Sequence, residues 1–85
     1  MRLLLLNEGL EEELYPELRS FLYNLNNKQI LTLLYAGELR ISDACNLCTL
    51  KLKDFDGDNG VATLELSGWL ETREIGTLTI ECKVV

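Results

Sequence analysis

Apolar and polar residues alternate with a period of two through most of the chain's second half. Leu39 and Ile41 alternate with Glu38 and Arg40, and Leu50 and Leu52 with Lys51 and Lys53. Ala62, Leu64 and Leu66 stand opposite Val61 and Thr63, while Leu78, Ile80, Cys82 and Val84 share one side of the last run. A period of two places successive side chains on opposite faces of a strand, so each run predicts a strand with one wet face. Gly57, Gly60, Gly68 and Gly76 are expected at the turns between them.

The first half reads differently. Residues 2–7, "RLLLLN", form a short apolar run that predicts a buried strand. In the segment that follows, Leu10, Leu14, Leu18, Phe21, Leu22 and Leu25 recur at spacings of three and four, the stripe of an amphipathic helix. Asn7 can cap its start, and Asn26 with Asn27 can end it. Pro16 cannot donate a helical hydrogen bond, so the helix either kinks there or begins there. Residues 28–37, "KQILTLLYAG", fit a helix closed by Gly37 or a buried strand. The alternation that begins directly afterwards tips the expectation toward strand. The predicted fold is α+β: one N-terminal helix packed on a small, mainly antiparallel sheet of four to five strands.

Eighty-five residues predict a single domain, 1–85, with an ordinary apolar share of 47%. Twenty of the residues are leucine. So much apolar surface on so short a chain implies near-complete burial or a partner surface, and self-association is expected. The net charge is −6, with Glu11, Glu12, Glu13 and Glu17 clustered early and the bases scattered singly. Without a basic patch, nucleic acid is not an expected partner. The four leucines at 3–6 are too few for a signal sequence or a membrane span, so a cytoplasmic location with reduced thiols is expected.

Two stretches carry candidate chemistry. In "DFDGDNGVATLE" (54–65), Asp54, Asp56, Asp58 and Glu65 occupy positions one, three, five and twelve of an EF-hand calcium loop. Asn59 stands where that loop needs glycine, and strand-like alternation replaces the flanking helices. The expectation is a hairpin turn with weak calcium binding as the alternative. "CNLC" places Cys45 and Cys48 at a spacing that suits zinc, with Cys82 as a third thiol. With no histidine and no fourth cysteine, burial as small apolar residues is the competing reading.

The absence of histidine also removes the commonest neutral-pH general base and the serine and cysteine triads. No enzymatic activity and no cofactor are expected. The only glycine cluster, "DGDNG", carries acids that repel phosphate. Trp69 is the candidate interface anchor, against the alternative that it lies in the core.

Residues 33–47, "LLYAGELRISDACNL", resemble the segment of tyrosine recombinases, the phage integrase family, that carries the first catalytic arginine. The resemblance continues loosely through 53–56, 60–65 and 71–74. It implies that Arg40 matches that arginine and that 28–36 and 42–48 are helical. This sequence has Glu38 where the family has glycine. Tyr15, Tyr23 and Tyr35 all precede Arg40, so the family's later nucleophile has no counterpart. What the resemblance implies is a truncated recombinase-like fragment. The main expectation is a small acidic interaction or regulatory protein without catalysis, acting through a protein partner or itself, with a metal-binding module as the alternative.

Overall fold

A computed structural model describes residues 1–6, 14–43, 46–71 and 73–85. Its elements run β1 (Leu3–Leu5), α1 (Tyr15–Tyr23), α2 (Asn27–Ala36), β2 (Glu38–Ser42), β3 (Asn46–Asp56), β4 (Val61–Leu70) and β5 (Arg73–Val84). The strands form one sheet in the order β1-β5-β4-β3-β2, antiparallel at every junction. The fold is α+β, with two helices where the periodicity predicted one.

Residues 28–36 are therefore helix, and the strand expectation for 28–37 is corrected. Asn26 is extended and accepts the Gln29 N–H at 2.8 Å, while the Gln29 side chain accepts the Asn26 N–H at 2.9 Å. This reciprocal pair satisfies two N–H groups that a helix start otherwise leaves open. Gly37 closes the helix in the left-handed region, at φ 78°. Asn26, expected to end the first helix, instead starts the second; the C-cap of α1 is Asn24. Pro16 sits in the first turn of α1, where its missing N–H costs nothing. Leu10 and the proposed Asn7 cap lie outside the described residues.

The predicted strands are present, and their alternation sets the faces of the sheet. Leu39, Leu50, Leu66 and Leu78 stand in register across four strands, and Leu52, Leu64 and Ile80 form the next rung. These side chains meet Leu18, Phe21, Leu22 and Leu25 of the first helix and its exit, and Ile30 and Leu33 of α2, in one core. No polar or charged side chain is buried among the described residues. The predicted helix stripe from Leu14 to Leu25 thus faces the sheet.

Gly57 and Gly60 lie in the β3–β4 turn as expected. Gly68 and Gly76 do not mark turns: they face each other inside β4 and β5, where the register shifts by one between Gly68 and Trp69. The chain reverses after Leu70, which pairs with Arg73. In-strand glycines at a register shift are the signature of a bulge, which bends the strands and tightens their twist.

Candidate functional site

Helices cover one face of the sheet and leave the other uncovered among the described residues. Cross-strand register orders that second face into rungs. One runs Glu38–Lys51–Glu65, alternating in sign, and Lys53 reinforces it with a 3.1 Å ion pair to Glu65. The next runs Arg40–Thr49–Ser67–Thr77, all small or flexible polar groups. The third runs Ser42–Leu47–Trp69–Glu74.

In this third rung Leu47 is 61% exposed and Trp69 46% exposed, directly opposite each other on β3 and β4. Trp69 is on the surface and not in the core. Beside the pair runs a shallow groove of about 270 Å³, whose walls include Arg40, Ser42, Leu47, Thr49 and Ser67. Gly68, at the register shift of β4, also lines it. An aromatic ring, an aliphatic neighbour and a floor of hydroxyls make an anchor with adaptable hydrogen-bonding groups beside it. Leu47 and the hydroxyl rung escaped the sequence reading. The signal for Leu47 was available, because its parity along β3 opposes that of the core residues Cys48 and Leu50.

The acidic stretch 54–65 is the end of β3, a turn at 57–60 and the start of β4. No helix enters or leaves it. The Asp56 carboxylate is occupied within its own turn, accepting the N–H groups of Asp58 at 3.0 Å and Asn59 at 3.3 Å and the Asn59 amide at 2.7 Å. The Asn59 amide and the turn's N–H groups hold its pKa below the usual carboxylate value. Glu65 lies back along β4, opposite Lys51 and bonded to Lys53, while Asp54 pairs with Thr63. No cluster of three acidic, cysteine or histidine side chains suited to a metal occurs among the described residues. The turn spends its carboxylate on its own backbone.

The two described thiols do not converge either. Cys48 in β3 and Cys82 in β5 are both buried on the helix-covered side, with β4 between their strands. Cys82 is level with Ala62 and Phe55, seven residues along β3 from Cys48, a separation of about 20 Å at strand rise. Cys48 and Cys82 are therefore not brought together; Cys45, the third thiol of the expected zinc site, lies outside the described residues. Burial, helped by the nearby Asp43 charge, pushes the Cys48 thiol up to about 11, and burial alone pushes Cys82 up to about 12.

Both thiols are expected to resist alkylation at pH 8 in the folded protein and to react freely once it is denatured. Their folded pKa values exceed the ordinary thiol value of 9.0. Their contribution to stability is therefore complete below about pH 9 and lost as pH climbs toward 11 and 12. Denaturation midpoints from pH 8 to 11 check this: a Cys82→Ala variant should show a shallower alkaline decline.

Arg40, the residue matched to the recombinase arginine, lies in β2 with its side chain on the uncovered face, 3.4 Å from Glu38. Of the two helices that resemblance implied, 28–36 falls within α2. Of the second, Ser42 ends β2 and residues 46–48 begin β3, so none of these described residues is helical. No protein-family model matches the chain, and no solved structure matches it. No helix among the described residues is long and apolar enough to cross a membrane.

Proposed function

We propose that this chain is an acidic, non-catalytic interaction protein of the cytoplasm that binds a protein partner through the uncovered face of its sheet. The observation that carries this reading is the exposed Leu47–Trp69 pair beside the hydroxyl-lined groove. Tryptophan half-exposed on a rigid strand keeps its contact area at little entropic cost, and such residues dominate binding energy when a partner desolvates them. The chain's lack of histidine and the inward-facing thiols of Cys48 and Cys82, whose burial favours the protonated form, support a non-catalytic reading. The acidic excess favours a partner of neutral or basic character.

Trp69→Ala is expected to weaken partner binding by about 2 kcal/mol or more, roughly thirtyfold, with stability changed by less than about 0.5 kcal/mol. Affinity purification with wild-type and Trp69→Ala baits, followed by titration of any partner that only the wild type retains, makes the measurement. Identical retention by both baits, or a partner whose affinity ignores Trp69, would remove this face from the function.

A further inference from the structure

Among the described residues the outer edge of β2 is open. The Leu52 N–H donates to the Gly37 carbonyl at 2.8 Å, and the Asp43 N–H donates to the Asn46 carbonyl at 3.0 Å. In an antiparallel ladder this assigns the odd-numbered positions of β2 to β3 and turns the N–H and C=O groups of Glu38, Arg40 and Ser42 outward. No strand pairs with that side among the described residues. An edge of this kind is a template for another strand.

We propose that two copies of this chain pair through β2, antiparallel about a two-fold axis at Leu39, to form a continuous ten-stranded sheet. Residues facing each other across such an axis must share a sheet face. The axis therefore passes at the level of a residue, and β2 offers three central choices. Centring on Arg40 opposes two guanidinium groups; centring on Ile41 opposes Arg40 to Ser42. Centring on Leu39 sets Glu38 against the second copy's Arg40, twice, with Leu39 against Leu39. Each Glu38–Arg40 rung is also a hydrogen-bonded one, because both residues point their backbone groups outward.

Charge thus selects one register from three. Within one chain, Arg40 meets Glu38 only through one 3.4 Å contact with 80% of its side chain exposed, so the cross-copy pair displaces little.

The helix above agrees. α2 packs over β2 and β3, and its Gln29 flank shares a cleft with Phe21, Asn24 and Leu25 beside α1. The opposite flank carries Leu31, 38% exposed, and Tyr35, 87% exposed, one turn apart and facing away from α1. In the dimer that flank is set on the outer side of β2, where the second copy's Leu31 and Tyr35 come to meet it. The dimer deepens the reading of the chain as an interaction protein and rests on it; it uses the outer edge of β2, which adjoins the groove at Arg40 and Ser42 but does not include Trp69.

Sedimentation equilibrium over a wide concentration range, with amide hydrogen exchange, tests it. The expected result is reversible dimerisation of the 9.7 kDa chain, with protection of the Glu38, Arg40 and Ser42 amides rising with concentration. Arg40→Glu should weaken the dimer at least about tenfold by opposing like charges twice. Glu38→Arg combined with Arg40→Glu should restore it, and so should mixing the two single variants. A monomer at all concentrations, a dimer indifferent to Arg40→Glu, or failure of both restorations would overturn the proposal. So would a dimer lost in Trp69→Ala, which would assign self-association to the uncovered face. Partner binding that depends on Trp69 in a strictly monomeric protein would retain the proposed function and discard only the dimer.

Discussion

Gly68→Ala is expected to destabilise the protein by more than about 3 kcal/mol, lowering its melting temperature by roughly 15 °C. A Cβ at this position would lie 2.4 Å from the Leu47 carbonyl oxygen and 2.9 Å from the Cys48 Cα. Both are backbone atoms of the interior strand β3, held by ladders on each side, so neither can withdraw cheaply. The backbone itself sits at φ 113°, a region that L side chains rarely adopt. Clash and strain act together, and the sheet must slip or splay at its bulge. Thermal melting and urea denaturation measure the loss. Gly76→Ala is the control: it is also left-handed, at φ 63°, but has nothing within 4 Å of its added carbon, so only the strain remains. A Gly68→Ala variant no less stable than Gly76→Ala would refute the close-approach account.

Leu66→Ala comes second, with an expected loss of about 2–5 kcal/mol. Leu66 is fully buried in the middle strand of the sheet, between Leu50 and Leu78 in register. Its neighbours are fixed by two hydrogen-bonded ladders, so the space left behind closes poorly, which argues for the upper half of that range. A small domain has only about 5–15 kcal/mol in all, and such a variant would stand near its unfolding threshold at ambient temperature. Leu31→Ala, on the outer flank of α2, should cost under about 1 kcal/mol in dilute solution. Chemical denaturation of the two variants side by side gives the comparison.

The strands were legible because one face is wet and the other dry, which writes a period of two directly into residues 38–42, 49–55, 61–67 and 77–84. Helix α2 was not, because "ILTLL" is apolar at nearly every position and carries no clear period. Its true signal lay at its ends, where Asn26 and Gln29 have the spacing of a capping box and Gly37 that of a C-terminal stop. Gly68 and Gly76 looked like punctuation because a glycine inside a strand and a glycine in a turn are the same letter. Only the pairing partner distinguishes them. Trp69 follows the parity of Ser67 and Glu65, so its place on the uncovered face was readable once the chain was known to continue through Gly68 as strand. The distance between Cys48 and Cys82 depends on strand order and register, which no local pattern carries.

The sheet also implies an order of assembly. β3, β4 and β5 follow one another through tight reversals, so each pairing closes a short loop. The β1–β5 pairing joins Leu3 to Val84 and closes a loop of about 80 residues, which costs more chain entropy for a short ladder flanked by the Arg2–Val85 and Leu6–Glu81 hydrogen bonds. The meander is therefore expected to form first, with the strand at residues 3–5 docking onto a sheet that already exists. Substitutions in the 46–84 meander then act on the rate of folding. Those at Leu3 act chiefly on the rate at which the native protein comes apart.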